Sequence, residues 1–241
     1  MKINIAMKNI KFLLSLTTVT MEAGVGNWMA MIEDIKKFKL TEIGLFPTVL
    51  EKDERYKLYA ELKNTTVKNI PFVHLRAQDM SVEELDFLVE NFNTKVFNIH
   101  MTADWPVVYD YSKYAKQIFI ENCKTVPTEK ELEKFGGLCI DFSHWENQVL
   151  LGNAEYDRLM KERIAKYSIG VCHLSVIKDE IFPNPFKPEI LQHDSHKMDN
   201  LSEFDYLKKY AQYIPDITAI ELENSIEEQL EIKNYLENII K

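Results

Sequence analysis

Histidine, aspartate and glutamate recur in this chain at one kind of place, the downstream end of short apolar segments. His74 closes Pro71-Phe-Val-His, His100 closes Val96-Phe-Asn-Ile-His, and His173 stands in Val171-Cys-His-Leu. His144 follows Asp141 by three residues in Cys139-Ile-Asp-Phe-Ser-His, while His193 and His196 flank Asp194 in Gln192-His-Asp-Ser-His. These are all six histidines of the chain. Carboxylates occupy the same positions: Glu121 in Phe119-Ile-Glu-Asn, Asp141 in its own segment, and Glu221 and Glu223 in Ile220-Glu-Leu-Glu-Asn. One such imidazole alone reads as an ordinary satisfied side chain. Several imidazoles and carboxylates converging on one small space are costly to bury without a compensating cation. Neutral imidazole nitrogens and ionised carboxylates are the preferred ligands of Zn²⁺, Mn²⁺ or Fe²⁺, so the chemistry to expect is that of bound divalent metal. No compact pattern such as HExxH occurs, so the ligands must be brought together by the fold.

The elements that would do this alternate along the chain. Strand-like segments are expected at residues 11–16, 42–46, 70–75, 95–101, 117–122, 137–142, 170–176 and 218–223, with amphipathic helical stretches such as 26–38, 81–92, 146–166 and 225–240 between them. Strand and helix in alternation, with no hairpin signal, imply parallel strands. Eight such units in 241 residues predict a single (β/α)8 TIM barrel domain over residues 1–241, close to the roughly 250 residues usual for that fold. An open doubly wound sheet fits less well, because no glycine-rich phosphate loop is present and the chain has only seven glycines. Period-two alternation then puts Phe119 with Glu121, and Cys139 with Asp141, on the interior face, and lets His173 point to the same axis. Two stretches break the pattern. Residues 177–200, with Pro183, Pro185 and Pro188, read as a long functional loop over the site, and residues 102–114 carry Trp105 and Pro106.

Composition excludes several classes. Hydrophobic residues at 46% and charged residues at 28% describe a soluble globular protein, and no apolar run approaches the roughly 18 residues of a membrane span. Lys8 and Lys11 before Phe12-Leu-Leu-Ser-Leu imitate a secretory signal, but the apolar run is short and meets Thr17, Thr18 and Thr20, as a first barrel strand would. Cys123, Cys139 and Cys172 are odd in number and form no CxxC, which reads as reduced thiols in a cytoplasmic protein. A net charge of −9 argues against a surface generally attractive to nucleic acid.

With these residues in place the chain resembles the xylose isomerase-like TIM barrel superfamily, and its motifs look most like the endonuclease IV branch. Phe119-Ile-Glu-Asn-Cys, Leu138-Cys-Ile-Asp-Phe-Ser-His, Val171-Cys-His-Leu and Asp194-Ser-His196 carry the resemblance, which spans nearly the whole length. It implies up to three zinc ions, with Mn²⁺ or Mg²⁺ as alternatives. By resemblance Glu121 bridges two metals, His74 and His100 complete the first, Asp141, His173 and Glu223 the second, and His144, Asp194 and His196 the third. Glu223 is preferred to Glu221 because Asn224-Ser225 then opens the last helix, though both share a strand face. The sugar isomerase and epimerase branch shares a smaller set, Glu121, Asp141, His144, His173 and Glu223; at the offsets where it carries a further acid and an Arg this chain has Pro127 and Asp179. The loops that would grip duplex DNA, residues 47–56 and 76–80, are short and mixed in charge, and Lys197-Met-Asp-Asn replaces a glycine-containing motif.

Three readings follow. The first is metal-dependent cleavage of a phosphoester in a small sugar-phosphate or nucleotide-like substrate, with Glu121 orienting the nucleophile and Arg76, Lys178 or Lys197 holding a phosphate oxygen. The second is isomerisation or epimerisation of a small sugar or sugar phosphate, in which Glu121 and Glu223 move the proton. The third is a noncatalytic barrel with a degenerate site. Trp105 near the mouth is a candidate to stack on substrate. Duplex DNA and membrane are not expected as partners, and the oligomeric state is left open.

Overall fold

The computed structural model describes residues 10–18, 28–185 and 187–240, so Lys8, Thr20, Gly26 and the two ends of the expected domain lie outside the described residues. In chain order the strands are β1 (Lys11–Leu13), β2 (Ser15–Thr17), β3 (Glu42–Phe46), β4 (Asn69–His74), β5 (Val96–Ile99), β6 (Ile118–Glu121), β7 (Leu138–Asp141), β8 (Ile169–Leu174), β9 (Val176–Pro183), β10 (Leu191–Ser195) and β11 (Ile217–Ile220). The helices are α1 (Trp28–Phe38), α2 (Lys52–Lys63), α3 (Val82–Phe92), α4 (Glu129–Lys134), α5 (Phe142–Leu150), α6 (Ala154–Lys166) and α7 (Ile226–Ile239).

β1 and β2 are two halves of one strand, parted at Leu14, and this division closes the sheet. β1 pairs in parallel with β11, β2 pairs in parallel with β3, and the order between them runs β11-β8-β7-β6-β5-β4-β3. Eight strand positions, all parallel and joined at both edges, make a (β/α)8 barrel, as the alternation predicts. No helix of the described residues is long and apolar enough to cross a membrane.

Side chains sort by strand parity. Leu13, Phe46, Phe72, Phe119, Cys139, Val171 and Ala219 fill the barrel, whereas Ile43, Val73, Ile99, Ile120, Ile140 and Leu174 point outward into a second core under the helices. Gly170 is set by this filling: a Cβ there would lie 2.0 Å from the Phe119 ring, so only hydrogen leaves the ring room. Helix α1 docks through Trp28, Met31, Ile32 and Ile35, the spacing of one helical stripe.

Three segments differ from expectation. Much of the long loop expected over residues 177–200 is an antiparallel hairpin, β9 against β10. The prolines allow it, because Pro183 is the last residue of β9 and Pro185 and Pro188 fall in the connection, so none interrupts a paired stretch. The helix expected over 146–166 is two helices. Asp141 caps the first, accepting from the His144 N–H, Gly152 turns the chain at φ +79°, and Asn153 caps the second. The segment 47–56 is likewise only partly loop, since α2 begins at Lys52.

Candidate metal centre

The strands that bury an apolar residue inside the barrel present a polar one two positions later. Phe72 is followed by His74, Phe119 by Glu121, Cys139 by Asp141, Val171 by His173, and Ala219 by Glu221. All five polar residues are buried, and the register Asp141↔His173 and Ala219↔His173 brings the last three strands level at the mouth. The barrel is thus apolar below and ionisable at its C-terminal end.

Glu121 stands at the centre. Its Oε2 lies 2.9 Å from His74 Nε2 and 3.9 Å from His100 Nε2, and accepts from Asn98 Nδ2 at 2.6 Å. Its other oxygen, Oε1, is 3.7 Å from His173 Nδ1, which also meets Glu221 Oε2 at 3.2 Å. On the next flank His144 Nε2 is 3.8 Å from Asp141 Oδ2, and His144 Nδ1 is 2.7 Å from Asp194 Oδ2, a carboxylate delivered by β10. The rings of His144 and His196 are 6.4 Å apart. Backbone carbonyls, which only accept, orient two imidazoles: His74 Nδ1 donates to Leu75 O at 3.1 Å, and His196 Nδ1 lies 3.2 Å from Glu221 O. In each ring Nε2 is thereby the nitrogen left for a ligand.

The charges are mutually dependent. Burial works to raise Glu121, yet His173, His100 and His74 hold its carboxyl well below the usual range. Burial also opposes ionisation of Glu221, and His196 and His173 overcome it, bringing this carboxyl down to about 2. Burial disfavours protonation of His173, but Glu121 and Glu221 raise it to about 9; at His144 burial is overcome by Asp141 and Asp194, and the imidazole is held well above its ordinary value. His100 goes the other way, carried down to about 4 by burial despite Glu121. So the converging carboxylates favour protons on His173 and His144, and a bound cation would compete with those protons for the same acceptors.

The residues fit such a cation. Ligand atoms of His74, His100 and Glu121 lie within 4.8 Å of one another, as do those of Glu121, Asp141 and His173, and those of Glu121, Cys123 and His144. Among the described residues, Asp141 Oδ2 and Asp194 Oδ1 are buried and accept no hydrogen bond. A buried carboxylate oxygen without a donor is costly, and a hard or borderline cation satisfies it.

Of the expected ligands, His74, His100, Glu121, Asp141, His144, His173 and Asp194 are gathered here, with His196 at the edge. At the end of β11 the carboxylate that meets His173 is Glu221; Glu223 is half-buried and its backbone N–H donates to the His196 carbonyl at 2.7 Å. His193 serves the hairpin, its Nδ1 donating to Lys178 O at 3.0 Å. Two of the three cations expected to meet substrate are engaged elsewhere. Arg76 pairs with Glu51 at 2.7 Å and Asp79 at 3.1 Å, and Lys178 pairs with Asp199 at 2.8 Å and Glu203 at 2.9 Å. Lys197 has its backbone N–H on Ser195 Oγ at 3.2 Å. Trp105 is exposed, its ring 5.7 Å from that of His100. Asn98 and Cys123 were not singled out from the sequence, although each stands two residues from a candidate ligand, His100 or Glu121, on the same strand parity.

A crevice of about 240 Å³ opens beside His144 and Asp194, between α5 and the hairpin, with Cys123, Lys124, Asn147 and Gln192 among its walls. A larger cavity of about 450 Å³ is lined only by residues of α1 and α2, and none of the mouth residues reaches it.

No protein-family model matches the chain, and no curated protein matches it. Among solved structures the chain is similar to the probable 3-DHS dehydratase AsbF of Bacillus anthracis, at 13% identity over 95% of this chain and 99% of that one, with a TM-score of 0.48. It is also similar to a xylose isomerase-like TIM barrel protein of Mycobacterium smegmatis in complex with magnesium, at 10% identity over 96% of this chain and 98% of that one, with a TM-score of 0.48. The barrel assignment rests on the strand order itself, and the site rests on this chain's own side chains.

Proposed function

We propose that this chain is a divalent-metal-dependent enzyme that cleaves a phosphoester in a small sugar-phosphate or nucleotide-like substrate. The observation that carries the reading is the shared position of Glu121, whose two oxygens face different ligand groups, His74 with His100 on one side and His173 with Asp141 on the other. Zinc is the first choice for so histidine-rich a donor set, with Mn²⁺ or Mg²⁺ next. Divalent metal held by these residues would supply Lewis-acid polarisation of a phosphoryl oxygen and a more acidic bound water.

The chain's own groups do the rest. Asn98 fixes the Glu121 carboxylate through its 2.6 Å hydrogen bond, so that carboxylate can orient an attacking water without losing its place. Trp105, beside His100, offers an aromatic face at the rim. The crevice admits a small molecule rather than a duplex, and Lys124 on its wall is placed to meet an anionic group now that Arg76 and Lys178 are held in ion pairs.

One observation favours a second reading, isomerisation or epimerisation of a small sugar. Glu121 and Glu221 flank the same imidazole of His173, at 3.7 Å and 3.2 Å, and paired carboxylates can pass a proton between neighbouring carbons. Metal content by plasma mass spectrometry, for the wild type, His74→Ala and Glu121→Ala, comes first. Assays of metal-dependent phosphate release and of aldose-ketose interconversion follow on the same preparations. Phosphate release that both substitutions abolish supports hydrolysis, interconversion without release transfers the site to the second reading, and a wild type that binds no metal after reconstitution sinks both.

A further inference from the structure

We propose that Cys123 is a thiolate ligand of the metal centre, on the flank it forms with Glu121 and His144, and that it biases this position towards zinc and against magnesium. The inference rests on the metal reading above and adds a sulfur donor to it.

The placement follows from strand parity. Phe119 and Glu121 alternate inward along β6, and the alternation carries past the strand's end to Cys123, so its thiol emerges on the side of the carboxylate. Sγ is 3.8 Å from Glu121 Oε1, and single ligand atoms of Glu121, Cys123 and His144 all lie within 4.8 Å of one another. Metal bonds of about 2.3 Å to sulfur and about 2.0 Å to nitrogen or oxygen span separations of this size with small side-chain adjustments. A second observation points to the same spot. Asp141 is fully buried, and its Oδ2, which accepts no hydrogen bond among the described residues, lies 3.8 Å from His144 Nε2. Thiol, carboxylate oxygens and imidazole therefore surround a common space, and the crevice lined by Cys123, His144 and Asp194 opens onto it from solvent.

The chemistry of the thiol fits a ligand. Ligation exchanges the S–H bond for a sulfur–metal bond, the proton leaves to solvent, and no atom changes oxidation state. A thiolate is a soft donor that suits zinc and is avoided by magnesium. The other sulfur near the centre is a natural control: Cys139 Sγ lies 3.3 Å from His173 Nε2, but it belongs to the apolar filling of the barrel.

The test is cobalt(II) reconstitution of the full chain, followed by absorption spectroscopy. The wild type and Cys139→Ala are expected to show the near-ultraviolet sulfur-to-cobalt charge-transfer band, and Cys123→Ser to lose it while keeping the visible ligand-field bands of bound cobalt. Zinc affinity of Cys123→Ser should fall by about 10-fold or more, with magnesium affinity unchanged. Ligand-field bands without the charge-transfer band in the wild type would overturn the sulfur ligand while leaving the metal reading intact; the band surviving in Cys123→Ser would do the same for Cys123. Failure of the wild type to bind cobalt, zinc or magnesium would overturn both. Should Cys123→Ser not fold, alkylation of the wild type decides: zinc must protect Cys123 from iodoacetamide, as read by peptide mass spectrometry, and equal labelling with and without zinc counts against the proposal.

Discussion

The clamp around Arg55 and the mouth around Glu121 are both buried and both ionic, yet they are finished differently. In the clamp the guanidinium is fully buried and each arm has an acceptor: Nε and Nη2 meet Glu84 at 2.7 Å and 2.9 Å, and Nη1 meets Asp79 at 3.0 Å and Leu50 O at 2.8 Å. Tyr59 donates a further hydrogen bond to Glu84 at 2.8 Å. The clamp ties α2 to α3 and to the loop after β4 with a permanent counter-ion of its own. At the mouth, Glu121, Asp141, Asp194 and Glu221 converge with imidazoles as their ion-pair partners and neutral donors such as Asn98 and Ser143 beside them, and two carboxylate oxygens accept nothing among the described residues. A cluster that serves the fold carries its counter-charge in the chain, whereas one that serves binding leaves acceptors over and borrows protons in the meantime.

That contrast breaks most visibly at Arg55. Arg55→Ala strands a buried Glu84 and should cost about 3–5 kcal/mol, measured by urea unfolding. The cost is expected to be the same in chelator and in zinc, because the clamp holds no metal. Zinc at roughly a thousand times its dissociation constant should stabilise wild type and Arg55→Ala alike by about 4 kcal/mol, and Glu121→Ala by far less. A zinc increment that shrinks in Arg55→Ala would show that the two clusters are not independent.

The next effect is smaller and depends on pH. Burial opposes a proton on His173, but Glu121 and Glu221 raise its pKa to about 9, above the roughly 6.5 of an unfolded chain. This proton therefore contributes stability that is fully present below about pH 6.5 and is lost as pH rises through about 9, on the order of 1–3 kcal/mol in protein stripped with chelator. With zinc bound the proton has been displaced, and that loss should vanish from the unfolding free energy measured across the same range. A stripped protein whose stability is flat from pH 6 to 10 would mean that the mouth does not hold its charge in this way.

How much of this was legible beforehand depended on whether the signal was local. The strands were readable to within three residues because alternation is a local property, and β3 falls at the expected 42–46. The inward pairing of Phe119 with Glu121 follows from the same period. Arg55 gave no signal, because its partners Asp79 and Glu84 lie 24 and 29 residues away and its segment reads as mixed charge. Glu221 and Glu223 could not be told apart on parity, which they share; the register Ala219↔His173 is what brings Glu221 to the imidazole, and register is a tertiary fact. The hairpin of β9 and β10 was hidden by its prolines, which mark a turn in the structure but read as a loop in the sequence.

A third polar cluster, around Glu131, gives the finest test of the contrast. Thr128 caps α4 in a reciprocal box with Glu131, whose other oxygen accepts from the Thr102 N–H at 2.7 Å and its hydroxyl at 2.8 Å, two residues past His100. The cluster is satisfied like the clamp but sits beside the strand of a candidate ligand, like the mouth. If hydrogen-bond satisfaction decides its character, Thr128→Ala costs about 1 kcal/mol, the usual worth of a cap, equally in chelator and in zinc. If closeness to His100 decides instead, the loss grows when zinc is bound, because the loop that carries the ligand has been loosened. Unfolding curves taken in the two conditions separate these outcomes, and the first is expected, since Glu131 leaves no acceptor for a metal to fill.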